Sequence, residues 1–135
     1  MKNKHVYLKS GKEESLRRFH PWVFSGAIHH ADPGINEGDI VRVVSADGTF
    51  IAVGHYQIGS IAVRVLSFKD IEIDGQFWRS RISSALKVRS LLGVTSSENN
   101  NTYRLVHGEG DHLPGLVIDI YGDTAVMQAH SVGMH

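Results

Sequence analysis

Three short β-rich segments at 39–45, 49–56 and 61–68 constrain the fold more than anything else in the sequence. Asp47-Gly48 separates the first two. Asp-Gly between β-rich runs predicts a tight hairpin, because the turn needs left-handed backbone that glycine adopts freely. In the third run Ile61, Val63 and Val65 alternate with Ala62, Arg64 and Leu66, the period of two of a strand with distinct faces. Short strands in close succession indicate a small barrel or sandwich. Upstream, 5–9 alternates as a strand. A short helix is expected over 12–19, with Ser10 as its N-cap and Glu13 and Glu14 in a first turn that favours acids. Pro21 should end it. The stretch 22–28 reads as extended, with Trp22, Phe24 and Gly26 on one side, and Asp32-Pro-Gly reads as a turn.

The pattern changes near residue 70. Asp74 can cap a helix over 75–92 that Gly93 ends, with Trp78, Ile82, Ala85, Leu86 and Leu92 along one face. A polar loop at 95–102, a strand at 103–107 and a hairpin of 116–121 with 124–130 around Gly122-Asp123 follow. A boundary at about 69–73 therefore divides a mostly β unit, 1–69, from an α+β unit, 72–135. One helix and three strands make a small core, so the second unit is expected to continue in a longer chain or to pair with another copy.

The 135 residues are 41% hydrophobic and 21% charged, enough apolar material for packed cores and too little charge for a disordered chain. No apolar run approaches a membrane span and no apolar stretch follows the first residues. A cytoplasmic protein with no membrane partner is the expectation. The absence of cysteine rules out disulfides, thiolate zinc sites and a cysteine nucleophile within this sequence. The net charge of zero hides an asymmetry: residues 1–20 carry a net of +4 and the remainder −4. A basic end suggests a localised contact with a polyanion, or simply solvated lysines.

That end runs into Arg17-Arg-Phe-His-Pro-Trp-Val-Phe-Ser-Gly-Ala-Ile28. Neither a helix nor a strand needs such a mixture, but a surface that holds phosphates and stacks on bases can use it. Candidate RNA-binding residues are Lys9, Lys12, Arg17, Arg18 and His20, whose charges neutralise phosphates, with Trp22 and Phe24 as stacking platforms. Aromatics in a small β domain more commonly fill the core, and that reading stays open for both. Ser25-Gly26 either admits a close backbone approach or marks a bulge. Arg42 and Arg64, within strands, either extend the basic surface or are ordinary outward residues.

Other clusters carry less. None of the nine histidines lies in a recognised metal motif, and adjacent His29 and His30 should point apart in regular structure, so no metal site is expected. Glu109 and Asp111 read as a turn framework in which Asp bonds nearby backbone and Gly110 and Gly115 take unusual dihedrals. Arg79, Arg81, Lys87 and Arg89 on the helix read as a solvated face, with a second RNA surface as the alternative.

Two motifs about 80 residues apart, His20-Pro-Trp-Val-Phe-Ser-Gly-Ala and Gly108-Glu-Gly-Asp-His-Leu-Pro-Gly, give the chain a family likeness. It resembles the S-adenosylmethionine-dependent ribosomal RNA methyltransferases that begin with a PUA domain, most of all the bacterial large-subunit rRNA cytosine-5 enzymes. The resemblance implies a small PUA-like β-barrel at 1–69 and a partial central α+β domain at 72–135. It implies 23S-type ribosomal RNA as partner, and the residues expected to bind it are those picked out above by their chemistry: Lys9, Lys12, Arg17, Arg18, His20, Trp22, Ser25 and Gly26. The family places its cofactor loop and nucleophilic cysteine in a C-terminal Rossmann-like domain outside this sequence. S-adenosylmethionine is thus a cofactor of the full-length family and none is expected here. Gly108-Glu-Gly is followed by Asp-His-Leu-Pro-Gly rather than a helix start, and reads as a turn, not a cofactor loop. The family usually has a small residue and a glycine where this chain has Gly110 and His112. The alternatives are a protein-interaction or dimerisation module, or a stand-alone RNA-binding regulator.

Overall fold

The computed structural model describes residues 4–95 and 101–135, so the polar loop expected at 95–102 falls mostly outside them. The chain divides into two compact units, the first built from residues up to Ile71 and the second from Glu72 to His130.

The first unit contains β1 (Lys4–Leu8), α1 (Glu14–Arg17), β2 (Trp22–Phe24), a 3-10 turn (Ser25–Ala27), β3 (Ile28–Ala31), β4 (Ile40–Val44), β5 (Phe50–Tyr56) and β6 (Ile61–Ser67). Its six strands form one curled, half-barrel sheet in the order β2-β6-β5-β4-β1-β3. β1 runs parallel to β4, and the other neighbours are antiparallel. The core is the set the alternation marks, including Val6, Leu8, Val23, Val41, Val43, Val63 and Val65, closed by Leu16 from α1.

The β4–β5 hairpin turns where Asp-Gly predicts. Gly48 has φ +87°, and Ser45 N donates to the Thr49 carbonyl at 2.9 Å. The Asp47 carboxylate accepts from the Ser45 hydroxyl and from Thr49 N, which holds its pKa down at about 2. Further along, β5 needs Gly54, since a Cβ there would collide with the Arg64 carbonyl of β6.

Two local expectations are corrected. The helix expected at 12–19 is a single turn capped by Glu13 backbone, with no side-chain cap bond. Ser10 lies outside it, in a turn closed by Lys12 N donating to the Lys9 carbonyl at 3.0 Å. The stretch 22–28 is not extended throughout, because the 3-10 turn breaks it after three residues. Residues 131–133 also group with the first unit, whereas the sequence reading kept 72–135 together. Val132 N donates to Gln57 at 3.3 Å, and a Cβ at Gly133 would overlap the His55 ring. His55 is buried there, and burial lowers its pKa from 6.5 to about 4.

The second unit contains α2 (Gly75–Leu91) and the antiparallel strands β7 (Thr102–His107), β8 (Leu116–Tyr121) and β9 (Thr124–Ala129), in the order β7-β8-β9. Asp74 caps α2 by accepting from Phe77 N at 2.9 Å. Trp78, Ile82 and Ala85 pack with Val106, Leu113 and Ile118. Leu86 and Leu92, expected on that face, are exposed. Leu86 sits one residue on from Ala85, about 100° around the helix, and so leaves the core stripe. Among the described residues no helix is long and apolar enough to cross a membrane.

Candidate nucleic-acid interface

Lys9, Lys12, Arg17 and Arg18 are all exposed. Lys9 and Lys12 flank the tight turn before α1, and the two arginines end that helix. Leu16 is the anchor: it is 2% exposed in the core and fixes the helical turn that presents the arginines.

The chain leaves α1 by a C-cap in which Phe19 N donates to the Leu16 carbonyl at 2.9 Å and His20 N to the Ser15 carbonyl at 3.0 Å. This paired pattern calls for a left-handed residue, usually glycine. Here the residue is Phe19, with φ +65°. A non-glycine side chain in that region costs about 1–2 kcal/mol, and Phe19 offsets little of it by burial, being 72% exposed. Its ring meets Phe68 edge to face, at 5.2 Å between centroids.

His20 follows, half-buried, its Nδ1 accepting from Trp22 N at 3.2 Å. Backbone alternation in β2 then puts Val23 in the core and Trp22 and Phe24 on the other face. The core reading of these two aromatics does not hold: Trp22 is half-buried and Phe24 is 48% exposed. The His20, Trp22 and Phe24 rings lie within 5.8–6.3 Å of one another. β2 is a sheet edge, so this ring cluster sits at a border rather than within a covered layer. Ser25 N donates to the Ser60 carbonyl at 2.9 Å, and no atom lies within 4 Å of a Cβ built at Gly26, so the backbone there is open. The register of β2 against β6 shifts between Val23 and Phe24, so a bulge is present as well.

The arginines of the other strands are engaged in the fold. Arg42 pairs with Asp70 and lies over the Phe50 ring at 5.9 Å, and Arg64 donates to Gln57 at 3.0 Å. His29 and His30 do not point apart: their Nδ1 atoms are 2.7 Å from each other, and His30 stacks on Tyr7 at 4.3 Å. They lie on edge strand β3, where a register shift beside Leu8 breaks the regular alternation. Among the described residues no three His, Asp or Glu side chains converge as metal ligands would.

In the second unit, Asp111 ties the 108–115 loop to the helix. Its carboxylate takes both Arg89 Nη1 and Nη2, the latter at 2.8 Å, and accepts from His107 N at 2.7 Å. Burial raises its pKa, but the Arg89 and His107 bonds outweigh this and leave it below the usual value. Gly115 has positive φ as expected, whereas Gly110 does not; Gly108 and His112 take that conformation instead. Arg81 lies over Phe77 at 4.7 Å and donates to the His112 carbonyl at 2.9 Å. Arg81 and Arg89 are therefore structural, and only Arg79 and Lys87 of the four helix cations are fully exposed.

Residues 6–68, which hold the exposed basic turn and the aromatic edge of the half-barrel sheet, match the PUA-like domain family. The chain is 40% identical over 130 residues to ribosomal RNA large subunit methyltransferase I of Escherichia coli strain UTI89, and 39% to that of strain SMS-3-5. Each match takes in 95% of this chain but 32% of the relative, so the chain spans about a third of the length of these curated relatives. Among solved structures, a Streptococcus mutans protein classed as SAM-dependent methyltransferase superposes with a TM-score of 0.78 at 19% identity, covering 96% of this chain and 34% of that one. A methyltransferase-class protein solved with SAH gives 0.78 at 20% identity, covering 99% and 34%. At these identities the structural likeness shows the fold alone.

Proposed function

We propose that this chain is the RNA-binding part of an S-adenosylmethionine-dependent ribosomal RNA methyltransferase, holding 23S-type rRNA while another domain methylates a base. The observation that carries this is the β2 edge: Trp22 and Phe24 face away from the core directly after the exposed Arg17 and Arg18. Exposed cations attract phosphate, and aromatic rings at a sheet edge can stack on bases. Lys9, Lys12, Arg17 and Arg18 contact phosphate; His20 and Trp22 contact base or sugar; and the uncluttered backbone at Ser25-Gly26 lets the strand approach. The likeness to rRNA methyltransferases along both units supports ribosomal RNA as the partner. The chain contributes binding rather than the cytosine-5 attack. Cytosine-5 chemistry needs a thiolate to attack the ring, and this sequence has no cysteine. S-adenosylmethionine belongs to the methylating domain, and the working compartment is the cytoplasm, where ribosomal RNA is.

The test is affinity for large-subunit rRNA fragments across a salt series, beside a Lys12/Arg17/Arg18→Ala triple variant. Wild-type binding should weaken with salt, and the variant's log–log slope should be shallower by about 2–3, the release expected for three phosphate contacts. Equal slopes would remove the assignment.

A second reading has its own observation. β9 is an edge strand without a charged residue, with Met127 70% exposed. Such an edge can pair with another copy or another protein, and sedimentation of the chain at rising concentration separates monomer from dimer.

A further inference from the structure

We infer that Phe19 is a stacking platform for an unpaired base, so that the ligand is RNA with at least one base outside a duplex; this rests on the RNA reading above. Phe19 occupies the one position of the α1 C-cap where glycine fits best, and it does so at φ +65°. Among the described residues its one ring contact is the edge-to-face meeting with Phe68. The side chain is 72% exposed and lies outside the core cluster. Its aromatic neighbour Phe68 meets it perpendicular, at 80° between planes, a contact that steadies a ring without covering both faces.

Strained backbone carrying an exposed aromatic is a poor choice for stability and a good one for presenting a rigid flat surface. Its neighbours fit that use. Arg17 and Arg18 precede it and can hold the phosphates on either side of a base. His20 follows it and leads into the Trp22 and Phe24 rings. Stacking is tolerant of sequence because every base has a π-face, but it requires the base to be free of its own stack. A duplex offers phosphates to the arginines and no ring face to Phe19.

The experiment titrates the 135-residue chain, with Phe19→Gly, Phe19→Tyr and Phe19→Leu variants, against a labelled single-stranded RNA and a duplex of equal length. Thermal melts accompany each variant. Phe19→Gly should melt at the same or a higher temperature, because glycine relieves the left-handed strain. It should bind single-stranded RNA roughly 5- to 100-fold more weakly and the duplex as the parent does. Tyr should keep the affinity, and Leu, apolar but without a ring, should lose it. The inference is overturned if Phe19→Gly binds single strands like the parent, loses both RNAs equally, or melts well below it, and also if Leu retains full affinity. A parent that binds neither RNA at low salt removes the RNA reading itself, while a parent that binds and a glycine variant that matches it removes the role of Phe19 alone.

Discussion

Single residues in this chain carry stability and binding in opposite directions. His112 shares the left-handed conformation of Phe19, with φ +58°. Its backbone bonds, Arg81 to its carbonyl and its own N–H to the Glu109 carbonyl at 3.0 Å, do not depend on the imidazole. His112→Gly should therefore stabilise the second unit by about 1 kcal/mol, seen as a melting shift of a few degrees. Asp111→Ala should do the reverse. It strands an Arg89 side chain that is only 17% exposed, and losing one partner of such a pair costs about 2–4 kcal/mol, readable as a lower urea midpoint. His55 sets a pH dependence. The unfolded chain takes a proton as pH falls through 6.5, while burial keeps the folded ring neutral until about 4. Stability is complete above 6.5 and is lost on the way down to 4, by roughly 3 kcal/mol. Urea melts at pH 7.5 and 4.5 should show this difference, and His55→Phe should flatten it.

At the scale of elements, the legible ones are those whose reason is local. The β4–β5 hairpin follows from Asp47-Gly48, β6 from its period of two, and α2 from the Asp74 cap. Replacing that cap, Asp74→Ala, should cost about 1 kcal/mol and lower the melting midpoint of α2 followed by circular dichroism. The illegible elements are those whose reason is distant. β1 pairs in parallel with β4, more than 30 residues later, and nothing in 5–9 indicates the partner or its direction. α1 is one turn because no side chain caps its start and it is held chiefly by Leu16 in a core assembled from the rest of the sheet. Leu16→Ala should cost about 2–4 kcal/mol and weaken RNA binding together with stability, whereas Phe19→Gly separates the two. The basic and aromatic residues of the candidate site were readable from composition. Which rings face outward was not, since Trp22, Val23 and Phe24 are all apolar and only the sheet decides which one it buries.

At the scale of the whole molecule, a net charge of zero conceals a division of labour. The net positive charge is concentrated in the first 20 residues, which run directly into the His20, Trp22 and Phe24 rings of the first unit. The cations of α2 in the second unit are partly consumed by Asp111, Phe77 and the loop backbone. RNA should therefore meet this chain through one face of the first unit. The most direct measurement is ultraviolet crosslinking of the chain to a large-subunit rRNA fragment, with crosslinked peptides identified by mass spectrometry. Crosslinks concentrated between Lys9 and Gly26, with Phe19, Trp22 and Phe24 among them, are the expected result. Crosslinks confined to the second unit, or none above background at low salt, would contradict the account.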